Sequence, residues 1–207
     1  MKKYSFLFAI TLLIASIGCD EETVSHIHGD KFAKFNAEMR VLWSDHALWT
    51  RNVIVNVLDE LPGTTEAVNR LLKNQEDIGN AIKPYYGESG GNALTELLKE
   101  HITIAADLLT AAKTGDTEGF GTANELWYQN GNDIAAFLNT ANPEHYELGV
   151  WQQMMKSHLD LTMEEAVARL NKDYAADVIA YDKVYTELMM MADMLAEGIA
   201  LQFPDKF

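Results

Sequence analysis

A chain of 207 residues with 48% hydrophobic composition and a single cysteine is long enough to bury one good core, and one domain is the default. Sixteen basic residues face 31 acidic ones, giving a net charge of −15. A surface this acidic repels phosphates, which excludes nucleic acid and disfavours anionic lipid headgroups as partners.

The chain begins Met-Lys-Lys-Tyr-Ser, runs apolar from Phe6 to Gly18 and then reaches Cys19. A charged start, a short apolar core and small residues before a cut form a secretory signal over residues 1–18. Such a run is shorter than the roughly twenty residues that a membrane-spanning helix needs. Ala-Ser-Ile-Gly-Cys resembles the lipobox of bacterial lipoproteins, with Ser16 where an aliphatic residue is usual. The resemblance implies a diacylglycerol on the Cys19 thiol, and a lone cysteine has no internal disulfide partner. Residues 19–30 then read as a lipidated linker, and residues 31–207 as a single helical domain anchored to the cell envelope outside the cytoplasm. Asp20, Glu21 and Glu22 resemble the acidic tag that sends some lipoproteins to the outer surface. Cleavage removes Lys2, Lys3 and no acid, so the charge becomes 14 − 31 = −17.

Beyond the linker, apolar residues recur at intervals of three and four. Leu42, His46, Trp49, Val53 and Val57 form one such stripe, and Leu94, Leu97, His101, Ile104 and Leu108 another. That period belongs to amphipathic helices, and no stretch alternates with the period of two that marks strands. Pro62, Pro84, Pro143 and Pro204 fall where the periodicity breaks, and Lys113-Thr114-Gly115-Asp116 and Asn171-Lys172-Asp173 add two further stops. The expected segments are 30–61, 65–83, 92–113, 117–139, 147–170 and 175–203. They predict an all-α fold, an up-down bundle of six helices with short loops.

The six segments read as three copies of one helical hairpin. His46, His101 and His158 occur 55 and 57 residues apart, and downstream of each lies an acid beside an aliphatic residue or Met: Asp77-Ile78, Asp133-Ile134 and Asp193-Met194. Asn74 and Asn130 precede the first two acids by three positions, where the third copy has Met190. Each His and its Asp are about equidistant from a loop, so in antiparallel hairpins they stand at one height. The six residues are expected to form one polar layer.

The histidines lie on apolar stripes and should point inward, where an unpaired polar group costs about 1–3 kcal/mol. Two outcomes stay open. In one, each imidazole pairs with its carboxylate and the pairs only fix the helical register, leaving an envelope interaction module without catalysis. In the other, the layer binds a metal ion or a small ligand; for a metal, a carboxylate holds one ring nitrogen and the second ligates the ion. His46, His101 and His158, backed by Asp77, Asp133 and Asp193, then suit zinc or another first-row ion. Met154, Met155, Met189, Met190, Met191 and Met194 crowd the third copy of the layer, which suits copper as donors or an irregular core as filling. Hydrolysis by a His and Asp pair lacks a nucleophile, since no serine sits in an elbow motif.

His26 and His28 beside Asp30 form a solvated tether or a loose metal grip. Trp43, Trp49, Trp127, Trp151, Tyr181 and Tyr185 sit at helical spacing and fill a core or line a pocket. Lys83-Pro84-Tyr85-Tyr86-Gly87-Glu88 either caps the bundle or receives a ligand.

The stretch Leu72-Lys-Asn-Gln-Glu-Asp-Ile-Gly-Asn-Ala-Ile-Lys-Pro-Tyr-Tyr-Gly87, with His101-Ile-Thr-Ile-Ala-Ala-Asp-Leu-Leu109 and Met191-Ala-Asp-Met-Leu195, resembles an uncharacterised family of small bacterial helical proteins. The resemblance spans nearly the whole mature chain and implies no particular activity. Members of that family are sometimes called glycosyltransferases or acetylglutamate kinases. Those names imply nucleotide chemistry on an α/β scaffold, and this chain has neither a Gly-rich phosphate loop after a strand nor a parallel-sheet pattern. Ferritin-like and hemerythrin-like bundles are excluded by the lack of a repeated Glu-x-x-His and of two histidines a turn apart.

Overall fold

A computed structural model describes residues 29–207. Residues 1–18, expected to form a secretory signal, lie outside the described residues, as do Cys19, His26 and His28. The described chain is helical throughout, with helices α1 (Asp30–Leu58), α2 (Thr64–Thr114), α3 (Thr117–Ala141), α4 (Leu148–Leu170) and α5 (Tyr174–Gln202), then a 3-10 turn at Pro204–Lys206. No described helix is long and apolar enough to cross a membrane.

Helix ends follow the local chemistry. Asp116 and Asp173 cap α3 and α5, their carboxylates accepting from the backbone N–H groups of Gly119 and Ala176. Gly115 ends α2 in the left-handed region at φ 73°.

Five helical elements stand where six are expected, residues 65–83 and 92–113 being two helical arms of α2 joined across a non-helical Gly87. Pro84 does not end α2; the chain turns at Gly87, with φ 73° and ψ 176° inside an otherwise helical run. Only glycine takes that conformation cheaply. The two arms fold back on each other closely: a Cβ on Gly79 would stand 2.6 Å from the carbonyl oxygen of Gly91, and one on Gly91 would stand 2.6 Å from that of Gly79. Farther from the bend, Lys99 bonds Glu76 across 2.7 Å.

The helices close into a ring. α1 packs on α2 and α5, α2 on α3, α3 on α4 and α4 on α5. One end gathers the turns after Leu58, Thr114 and Leu170, where Lys113 donates to the carbonyl oxygen of Leu58 at 2.6 Å and Arg169 meets Asp59. The other end holds the start of α1, the bend at Gly87 and the C-terminus. There Tyr85 stacks on Phe207 with ring centroids 5.5 Å apart and also meets Phe35 and Phe203. The Tyr85-Tyr86 segment therefore caps the bundle. Apolar burial drives the ring shut, and the core falls into separate clusters, one around Met39, Ile78, Leu98, Trp151 and Leu188, another around Ile54, Leu71, Ile102 and Leu109. The three histidines lie between those clusters.

Candidate functional site

His46 on α1, His101 on the second arm of α2 and His158 on α4 are all buried, between 3% and 4% exposed. Their rings converge: His158 lies 5.9 Å from His46 and 6.3 Å from His101, centroid to centroid. Each lies about midway along its helix stretch and points into the ring of helices, as its apolar stripe requires.

The expected carboxylates are not in this layer. Asp77 pairs with Lys73 at 2.7 Å, Asp133 accepts from Gln129 at 2.9 Å, and Asp193 lies 3.5 Å from Arg40 with its side chain 42% exposed. In their place stand Gln75, Asn130 and Glu187. Nδ1 of His46 lies 3.2 Å from Nε2 of Gln75, Nδ1 of His101 lies 2.8 Å from Oδ1 of Asn130, and Nδ1 of His158 lies 3.2 Å from Oε2 of Glu187. Every one of these pairs is separated by 29 residues. The three acids stand near the level of the histidines but on another face of their helices. Asp77, Asp133 and Asp193 follow the true partners by two, three and six positions, which at 3.6 residues per turn rotates them by about 200°, 300° and 240°.

Asn74 and Asn130, the pair repeated in the sequence, do a related job. Asn74 donates to the carbonyl oxygen of Leu42 at 2.9 Å and Asn130 to that of Leu97 at 3.1 Å, each four residues before its histidine. Asn130 serves both its histidine and that carbonyl, whereas the first hairpin divides the tasks between Asn74 and Gln75. Nε2 of Gln75 also faces the carbonyl oxygen of Leu71 and Oδ1 of Asn74, so two hydrogens meet three acceptors. Oε1 of Gln75 and Oε1 of Glu187 are buried without a partner.

His101 is fixed at both nitrogens. Trp127 donates its indole N–H to Nε2 at 3.1 Å, so the proton of the neutral ring sits on Nδ1 and goes to Asn130. Burial, then the nearby His158 ring, holds His101 down to about 3. His46 is likewise lowered to about 3 by burial and by the rings of His158 and His101. Burial therefore disfavours the charged form of His46 and of His101, and the carboxylate of Glu187 stands against His158.

The layer divides the bundle axis into two narrow cavities. One, of about 40 Å³, is walled by side chains such as Met39, Ile78, Leu98 and Trp151; the other, of about 30 Å³, by Ile54, Leu71, Ile102 and Trp127. All three imidazoles border both. Among the described residues, no group of three or more His, Cys, Asp or Glu side chains is arranged to hold a metal ion in this conformation.

One polar network escaped the reading of the sequence. Arg51 donates to Oε1 of Glu165 at 2.7 Å and to both carboxylate oxygens of Asp177 at 2.8 and 3.1 Å, and both acids are 1% exposed. Arg169 joins Asp177 at 3.3 Å and also pairs with Asp59. This network ties α1 to α4 and α5, which closes the ring.

Comparison with models of protein families, with curated proteins and with solved structures finds no match.

Proposed function

We propose that this is a lipid-anchored protein of the cell envelope that binds a transition-metal ion at the layer of His46, His101 and His158, with no catalytic step. The observation that carries the reading is the repeated pairing at 29 residues: each Nδ1 is engaged by a polar side chain of the partner helix of its hairpin. An imidazole held at one nitrogen is oriented to ligate through the other, and such outer partners are a regular feature of metal centres. Spacing is compatible for the two pairs that include His158. Two imidazoles that share an ion through bonds of about 2.0–2.1 Å have ring centres roughly 5–6.5 Å apart, against 5.9 and 6.3 Å here.

Loading the ion calls for two local changes. Nε2 of His101 exchanges the Trp127 indole for the metal, and Gln75 turns its unpartnered Oε1 toward a protonated Nδ1 of His46. Asp77, Asp133 and Asp193 drop out of the ligand set. The lipid anchor rests on the lipobox resemblance at Cys19, and the three-hairpin architecture on the triplicate pairs.

The test is elemental analysis of the full-length protein in detergent micelles, followed by calorimetric titration with zinc, copper, nickel and iron salts. One ion per chain is expected, with binding lost in the His46→Ala, His101→Ala and His158→Ala variants. No uptake of any of these ions overturns the proposal.

A second reading, an envelope interaction module in which the layer only fixes the register, is favoured by one observation. The chain Trp127, His101, Asn130 and the carbonyl of Leu97 is hydrogen-bonded end to end without a ligand. It predicts that the three alanine variants lose stability and that the unchanged chain takes up no metal.

A further inference from the structure

We propose that a groove at the end of the bundle opposite the linker docks a basic amphipathic helix of a partner protein. The inference does not depend on metal binding. Between the end of α2, the start of α3 and the last two turns of α4 runs an open groove of about 290 Å³. Leu108, Leu109 and Ala166, all buried, form its floor. Phe120, Val167 and Leu170 stand along its rim, the last two 44% and 37% exposed. Apart from Asp116 and Thr117, every side chain that lines it is apolar. Apolar surface gathered in one concave patch and left in water favours a cover, and a trough between helices suits the apolar face of another helix.

Charge chooses the occupant. A second, shallower groove adjoins the first at Asp116, and Asp107 and Glu118 line it. All three acids are exposed, and none takes part in an ion pair among the described residues. Nearby cations are committed: Lys113 to the carbonyl oxygen of Leu58 and to Glu60, Arg169 to Asp59 and Asp177. The remaining cation of these turns is Lys172. An apolar trough beside three unopposed carboxylates is complementary to a helix with an apolar stripe flanked by Lys or Arg. The chain's own linker does not reach the groove, since residues 19–28 enter α1 at its far end. Ten extended residues span at most about 36 Å, whereas the 29 residues of α1 rise about 44 Å. A second copy would bring the same acids face to face, at a net charge of −15 per chain, and an anionic lipid surface is repelled likewise.

The experiment uses the full-length protein in zwitterionic detergent micelles and a synthetic helical peptide of about 14 residues, leucine on one face and lysine on the other. A benzoylphenylalanine replaces one central leucine, so that illumination records where the peptide lies. Crosslinks are expected on residues 108–120 and 163–170. Val167→Lys and Leu170→Lys place a cation on the exposed rim, where the fold is not at stake, and each should weaken binding by at least about tenfold. Asp107→Asn combined with Glu118→Gln should weaken it about three- to tenfold and flatten its dependence on salt. The same peptide with glutamate for lysine should bind at least about tenfold more weakly. Crosslinks scattered elsewhere, an affinity unmoved by both rim variants, or equal binding of the glutamate peptide overturns the proposal. A dimer in sedimentation that Val167→Lys abolishes makes a second copy the occupant and overturns it as well.

Discussion

Trp127 and His101 form a buried donor and acceptor pair 3.1 Å apart, their ring centroids separated by 5.4 Å. The indole N–H occupies the nitrogen that an incoming ion needs, so it both completes the polar layer and competes with a ligand. Trp127→Phe keeps an aromatic ring and removes the donor. It should lower stability by about 2 kcal/mol, for the orphaned acceptor and the lost volume. The same change should tighten metal binding about three- to tenfold, because the ion no longer displaces a hydrogen bond. Chemical denaturation and calorimetry on the variant measure the two effects, and weaker metal binding would show that the indole is a support and not a competitor.

Acid should unfold the bundle through its histidines. His46 and His101 titrate near 3 in the folded chain against an ordinary 6.5, burial being the main cause. Below about 6.5 the unfolded chain binds protons that the folded chain refuses. Their contribution is therefore complete above 6.5 and lost as the pH falls toward 3, at up to about 1.4 kcal/mol per pH unit for each ring. Glu165 acts in the opposite sense: burial, with the charge of Asp177 adding and Arg51 opposing, raises it from 4.5 to about 7. It favours the folded state at low pH and loses that contribution as the pH rises through 7. Between 4.5 and 6.5 it offsets part of the histidine effect, so the decline in urea midpoint should steepen below about 4.5. In His46→Gln the slope should fall by about one proton, and an unchanged slope would refute the assignment.

How much of this was legible in the sequence depends on what fixes each feature. Helix positions follow from apolar period and from caps such as Asp116 and Asp173, which act over a few residues, so they were readable within about three positions. Pro84 and the glycines after it mark the break between the two arms of α2, and a helix resumes immediately after Gly87 turns the chain. The inward histidines were legible from their stripes. Their partners were not, since equal height in a hairpin leaves the rotational face undetermined, and two of the three partners are amides, not acids. The constant interval of 29 residues was present in the sequence and becomes informative only once polar side chains of any charge are compared. The Arg51 network joins residues more than a hundred positions apart and has no local signature.

Arg51→Ala tests that network. It leaves Glu165 without its cation and Asp177 with only the 3.3 Å contact from Arg169. Removing one partner of a buried ion pair costs about 3–5 kcal/mol. Replacing Arg51 by Met and Glu165 by Leu together removes the charge along with its partner and should recover much of that loss. Urea midpoints of the single and double variants decide it, and a loss below about 1 kcal/mol for Arg51→Ala would place the pair with weak surface bridges.

Glycine substitutions separate close packing from helix propensity. Within α2, a Cβ on Gly79 would collide with the Gly91 backbone and the side chain of Thr95, so Gly79→Ala must spread the two arms. Overpacking of this kind costs about 1–3 kcal/mol, more than alanine returns in helix propensity. Gly121, exposed in α3, has nothing within 4 Å of the added carbon. There Gly121→Ala should stabilise the bundle by about 0.5–1 kcal/mol. Because the arms of α2 carry Gln75 and His101, Gly79→Ala should also weaken metal binding, while Gly121→Ala leaves it unchanged. Thermal melts with parallel titrations measure both effects, and equal behaviour of the two variants would mean that the close crossing near the bend does not position the layer.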